Sequence, residues 1–238
     1  MPLKPAPKFV LVVLAAGGAF YALHYAASNG LLPSNIGKIM VPAKYNLPDV
    51  KDALVERLVE IATSMVPGPS LEKGTTVGPM VSRTQQAEVM GHVSSALGEG
   101  ATILVGGSVG EGAVYERGCY VLPTVVDNVT TDMRIWREEV FGPVVAVVAV
   151  NSLDEAITLA NASAYGLSAA LFTRNLASAD EFLRRIETGQ AAVNLPTSGW
   201  DVHQPFGGYK LSGSPFKEQG LEAVGFYTRT KTCAVRSI

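Results

Sequence analysis

Cysteine is scarce in this chain. Cys119 and Cys233 are the only two in 238 residues, far apart in sequence, and neither sits in a CxxC or a Cys/His cluster. That argues against a disulfide framework and against a zinc site, whose signature is ligand spacing. Histidine is scarce too: His24, His92 and His203 are scattered. Charge of either sign is thin, at 17% of residues with a net of −2, so there is no electrostatic footprint for nucleic acid. No Walker sequence and no G-x-S-x-G occurs. What the chain has instead is apolar residues, 47% of it, too many for disorder and enough for a substantial core in one large domain or two small ones.

The longest stretch without charge is at the N-terminus. No Asp, Glu, Lys or Arg stands between Lys8 and Lys38, and "FVLVVLAAGGAFYALHYAA" comes after a start that carries two lysines. Two readings stand for residues 9–27. One is a signal anchor or signal peptide, with a basic leader and an apolar stretch near spanning length. The other is a buried strand, Phe9 to Leu14, followed by a buried helix, with Gly17-Gly18 as the turn. Periodicity does not separate them, because a helix apolar on all sides suits a core or a membrane.

Beyond residue 46 the pattern is regular. Val50, Ala53, Leu54, Leu58, Ile61, Ala62 and Met65 recur at helical spacing, and "VPGPS" ends that helix with two prolines. Ser82 with Gln85 is a capping box for a second helix that stops near Gly98. "ATILVGG" and "CYVLPTVV" read as strands. Pro143 to Val150, "PVVAVVAV", reads as a strand covered on both faces. Ser152 with Glu155 caps a further helix. A strand at 167–174, a helix at 177–188 with Gly189 as C-cap, and a strand at 190–195 complete the alternation. The class is therefore α/β, with a mostly parallel sheet and flanking helices.

Two glycine-rich segments invite a binding role. "GGSVGEG" would need a helix after it to present amides to a phosphate, yet "AVYERGCYVLPTVV" is strand-like, so a surface loop is the reading. "PFGGYKLSG", Pro205 to Gly213, is a tight turn from which Phe206 projects, to pack or to line a pocket. The tail, "GFYTRTKTCAVRSI", has many β-branched residues, three basic residues and no acid after Glu222. It reads as one long polar strand, paired either with another subunit or at the edge of this chain's own sheet.

"REEVFGPVV", "EAITLANASAYGLSAALFTRN", "GQAAVNLPTSGW" and "QPFGGYKLSGSPFKEQG" succeed one another in an order and spacing that resemble the NAD(P)-dependent aldehyde dehydrogenases, as does "DALVERLVEIATSMVPGPSLEKGTTVGPMVS". The resemblance covers roughly residues 35–238. It implies an aldehyde-dehydrogenase-like catalytic portion at 35–222 and a C-terminal bridging strand at 223–238, with the N-terminal 1–34 standing apart. It implies NAD or NADP as cofactor. Glu139 of the E-E-x-F-G-P motif would accept hydrogen bonds from the nicotinamide ribose hydroxyls, Phe141 would pack beside the nicotinamide, and Phe206 would line the aldehyde pocket. Two carboxylate oxygens for two vicinal hydroxyls is sound chemistry. Taken without the resemblance, Glu138 and Glu139 suit a solvated acidic turn as well as a binding role. The implied residence is cytoplasmic, with the membrane as the alternative through residues 9–27. The implied partners are a second copy or a full-length aldehyde dehydrogenase subunit, bound through residues 225–238.

The resemblance stops short of the reacting group. In the family a cysteine thiolate of a G-Q-x-C motif attacks the aldehyde, and a glutamate activates the water that releases the acid. Counted back without gaps from "KIMV", that motif falls on "GLLP": Gly30 matches, Leu31 replaces glutamine and Pro33 replaces cysteine. No acid precedes Asp49 to serve as the base, and the family's cofactor domain would lie upstream of this point. The expectation is a truncated or split family member, a pseudoenzyme as a lone chain with no catalytic residue of its own. The alternative is a non-catalytic structural or interaction protein.

Overall fold

The structure, a computed structural model, describes residues 12–15, 38–42, 49–173, 175–197, 200–214 and 216–237. Its strands are β1 (Val12–Ala15), β2 (Lys38–Pro42), β3 (Thr102–Val105), β4 (Thr124–Asp127), β5 (Val144–Val150), β6 (Tyr165–Gly166), β7 (Ser168–Leu171), β8 (Gln190–Val193) and β9 (Tyr209–Lys210). Its helices are α1 (Asp49–Ser64), α2 (Arg83–Gly98), α3 (Ala113–Arg117), α4 (Arg134–Arg137), α5 (Leu153–Asn161), α6 (Leu176–Arg185) and α7 (Glu222–Tyr227).

Among the described residues one seven-stranded sheet runs β3-β4-β5-β2-β1-β7-β8, and β6 pairs with β9 separately. β4, β5 and β2 are mutually parallel, as are β7 and β8, while β1 runs antiparallel to both β2 and β7. Taken together, β4, β5, β2, β7 and β8 all point one way, and β1 and the edge strand β3 point the other. The α/β reading with a mostly parallel sheet holds in strand direction. The reversed β1 makes the pairing pattern mixed.

β5 shows why a run of valines makes a central strand. Val144, Ala146, Val148 and Val150 pack into one cluster with Val89 and Val93 of α2, Ile157 of α5 and Phe182 of α6. Val145 and Val147 point the other way, onto Leu58 of α1 and Val125 of β4. With side chains alternating across the pleat and helices on both sides, neither face can be polar. Each fully buried valine contributes about 1.5–3 kcal/mol relative to exposure.

β1 bears on the charge-free N-terminus. Val12–Ala15 stands inside the sheet, in register with Leu14↔Lys38 on one side and Ala15↔Ser168 on the other. These four residues form a strand, as the second of the two readings has it. The rest of residues 9–27 lies outside the described residues, and among the described residues no helix is long and apolar enough to cross a membrane.

Four local readings need correction. The strand read in "CYVLPTVV" begins only at Thr124, because Pro123 has no N–H for a ladder and the Leu122 amide instead donates to Ser108 O at 2.9 Å. Ala113–Arg117, read as strand-like, is a short helix. Gly189 caps no helix: α6 ends at Arg185 and turns into extended backbone at Ile186. The tail is not one strand, since Glu222–Tyr227 is helical and Thr228–Ser237 has no strand pairing and is exposed throughout.

Candidate cofactor and aldehyde site

The E-E-V-F-G-P segment joins α4 to β5. Ile135 and Trp136 are buried and root α4 in the core. Its arginine works on the surface: the Arg134 amide donates to Glu99 Oε2 at 2.8 Å and its Nε donates to Glu138 Oε2 at 2.7 Å. Buried His92 of α2 stands with Nε2 3.9 Å from the same Glu138 oxygen. The Arg134 hydrogen bond, first among several causes, holds the Glu138 carboxyl below the ordinary glutamate range. Glu138 thus points outward and is ion-paired with Arg134. Glu139 is half-buried, with Oε1 shielded from solvent, so the pair is not simply a solvated acidic turn.

The loop after Glu139 is held tightly. Gln85 Nε2 donates to Val140 O at 3.4 Å and to Phe141 O at 3.2 Å. A side chain at Gly142 would meet Val89 Cγ2 at 2.6 Å, so only glycine lets the loop lie on α2. Between these restraints Phe141 has φ 53° and is 47% exposed. A bulky residue in the left-handed region costs about 1–3 kcal/mol, and such strain collects where a side chain must be presented. Ser82 accepts from the Gln85 amide at 3.1 Å as the capping box requires, but the Gln85 side chain completes the loop instead of the box.

The Glu138 pairing has a signed pH dependence. A carboxyl lowered in the folded state stabilises above the ordinary glutamate range and ceases to as pH falls through its depressed value. Glu138→Gln is therefore expected to lower Tm at pH 7, and less so in high salt, and to leave Tm unchanged near pH 2. Thermal melts of the two proteins at both pH values check this.

The P-F-G-G turn sits at the sheet's other flank. Tyr209–Lys210 pairs with Tyr165–Gly166, and the Lys210 ammonium donates to Asn161 O at 2.5 Å and pairs with Glu187 at 3.0 Å. A side chain at Gly189, just before β8, would meet Gly207 O at 1.8 Å, which is the reason for glycine there. Phe206 is half-buried.

The topology relates the two motifs. β5 and β8 run the same way, so the loop before β5 and the turn packed at the start of β8 lie at one end of the sheet. Four strand spacings separate them, roughly 19 Å at about 4.8 Å each. Glu139 and Phe141 stand together, and Phe206 stands across that end. β2, between them, begins at Lys38 on the same end. Gly30, Leu31 and Pro33 lie outside the described residues. Among the described residues no cluster of His, Cys, Asp or Glu could hold a metal ion.

Three residues that reading by motif passed over emerge here. Gln85 reads as a cap residue in sequence. Lys217 sits in a quoted motif without an assigned part. Asn194, with φ 56°, accepts from the Thr173 amide and donates to Thr173 O, both at 2.9 Å, tying β8 to β7 where both end. The available signal was the asparagine itself, inside the span read as a strand at 190–195, since its short amide tolerates left-handed backbone; the strand ends before it, at Val193.

The chain is similar to known proteins over most of its length. The profile of the aldehyde dehydrogenase family matches residues 41–233. An alpha-ketoglutarate semialdehyde dehydrogenase of Haloferax volcanii is 43% identical over 185 residues, covering 77% of this chain and 38% of that protein. A betaine aldehyde dehydrogenase of Brucella anthropi is 35% identical over 221 residues, covering 93% of this chain and 44% of the other. Among solved structures, an NAD-dependent aldehyde dehydrogenase from Sinorhizobium meliloti superposes with a TM-score of 0.76 at 34% identity, over 90% of this chain and 40% of that one. A betaine aldehyde dehydrogenase from Staphylococcus aureus in complex with NAD+ gives 0.73 at 33% identity, over 80% and 37%. The chain spans about two fifths of the length of the curated relatives it matches.

Proposed function

This chain belongs to the aldehyde dehydrogenase family, and from that premise we propose that it carries the part of such an enzyme that receives the nicotinamide ribose on Glu139 and frames the aldehyde with Phe206, without a nucleophile of its own. The observation that carries the reading is the loop after α4. A half-buried carboxylate stands two residues from an exposed aromatic held in a strained backbone conformation. A carboxylate acceptor suits a vicinal diol, and an exposed ring suits the flat face of a nicotinamide. The residues present therefore fit NAD or NADP, which would supply the hydride acceptor. Glu139 would hold and orient the ribose, and Phe141 would keep water from the ring's face.

Nicotinamide mononucleotide is the apt probe, since it contains only the ring, ribose and phosphate that this loop would meet. In ligand-observed NMR its ribose and ring signals are expected to broaden with the wild-type chain and to recover with Glu139→Gln. An equal response with both proteins, or none with either, removes the assignment.

A second reading has its own support. From within α7 onward the chain is exposed, Gly225 to Ser237, with Phe226, Tyr227 and Val235 in water. Such a segment suits β-augmentation, in which backbone hydrogen bonds supply affinity and alternate side chains meet the partner. On this reading the chain is a structural or interaction protein that joins a second copy, or a full-length aldehyde dehydrogenase subunit, through residues 225–238.

A further inference from the structure

We propose that Lys217 is a positioning residue whose ammonium group pins the P-F-G-G turn to the start of β8 and so sets where Phe206 stands. The proposal rests on the reading of Phe206 as an aldehyde-framing residue, and extends it to a side chain outside the motif's aromatic.

Three consecutive carbonyls around Phe206 are each fastened by a different group. Gln190 Nε2, on β8, donates to Pro205 O at 3.4 Å. The Glu218 amide donates to Phe206 O at 2.9 Å. Lys217 Nζ donates to Gly207 O and also to Gly189 O at 2.9 Å. The last of these is the bridge, because one ammonium joins the turn to the residue that precedes β8. It stands where Gly189 and Gly207 touch backbone to backbone, a contact that leaves no room for a Cβ.

The surroundings suit a cation held in place. The Tyr209 ring centroid lies 5.2 Å from Nζ, within cation–π range. Burial draws the ammonium below the ordinary lysine range, which marks partial withdrawal from water. Hydrogen bonds from a charged donor are stronger than neutral ones, and a carbonyl left without its donor in such a place is costly. Releasing Gly207 would give the turn freedom about its own glycine pair and so weaken the hold that Gln190 and Glu218 have on Pro205 and Phe206.

The test is amide hydrogen exchange by NMR on the whole chain. Lys217→Met keeps an unbranched apolar stem and removes the donors, while Lys217→Arg restores them. In Lys217→Met the Glu218, Leu211 and Ser212 amides are expected to exchange about tenfold faster or more, with the core amides of β5 unchanged. In Lys217→Arg the turn amides should remain within about threefold of wild type. Should Lys217→Met not fold, Lys217→Leu, which likewise has no donor, takes its place with the same two outcomes. Unchanged turn amides, or an equal acceleration throughout the sheet, overturns the pin. Titration with butyraldehyde separates the two ideas. Phe206 ring signals that ignore the aldehyde would remove the framing reading, and a turn loosened only in the donor-less variant would leave the pin standing.

Discussion

A polypeptide of this sequence, mixed with an aldehyde and NAD or NADP, is expected to make no reduced cofactor. Oxidation by the family's covalent route begins with a thiolate that attacks the carbonyl carbon and ends with a water that releases the acid. On the proposed reading, a gap-free count back from Lys38 assigns the thiolate's place to Pro33. Proline brings neither a sulfur to attack with nor an N–H to steady the resulting oxyanion. Removing a nucleophile costs several orders of magnitude in rate, and the remaining binding groups cannot replace it. The control is Cys119, which precedes β4 and so approaches the same end of the sheet as Glu139; it is half-buried and its carbonyl accepts from the Met80 amide at 2.8 Å. Cys233 is exposed in the tail. Steady NADH formation from an aldehyde, abolished by Cys119→Ser, would overturn the expectation by showing that another thiol had taken over.

Deleting residues 225–238 is expected to turn a self-associating chain into a monomer. Leu221, Val224 and Tyr227 are 90%, 64% and 71% exposed around a helix of six residues, and the residues after it lie in water with their backbone outside any strand pairing. A segment rich in β-branched residues gains little by remaining so, and gains a row of hydrogen bonds by pairing with another chain. The sheet's outer strands among the described residues are β3 and β8. β5 is not an available edge, because it lies inside the sheet between β4 and β2. Light scattering at tens of micromolar checks the expectation. Association should disappear with the deletion, while the circular dichroism of α1, α2, α5 and α6 persists. A wild-type chain that is already monomeric, and unchanged by the deletion, would make the tail an appendage without a partner.

How far the sequence reaches differs from element to element. α1, α2, α5 and β5 were legible because each carries a local signal: helical spacing of apolar residues in α1, a capping serine in α2 and α5, and an unbroken apolar run in β5. Ser82 and Ser152 accept from the Gln85 and Glu155 amides as their spacing predicts. Those bonds join residues three apart, so local sequence contains all the information they need. Glu139, Phe141 and Phe206 were singled out by resemblance alone, and the family that the resemblance names is the one whose profile matches residues 41–233.

What local sequence could not decide was anything that depends on a partner far along the chain. Gln85 gives its side chain to carbonyls 55 and 56 residues away, which no capping pattern foretells. Gly189 resembles a helix cap because glycine after a helix usually is one, whereas here its missing Cβ admits the carbonyl of Gly207. The tail's β-branched residues favour extended backbone, but a strand exists only when a neighbour completes its hydrogen bonds, and Glu222–Tyr227 forms a helix instead. Val12–Ala15 is the plainest case. Its composition suits a membrane or a core equally. Its place between β2 and β7 follows from the sheet around it, where the strand finds a hydrogen-bonding partner along each of its two edges at once.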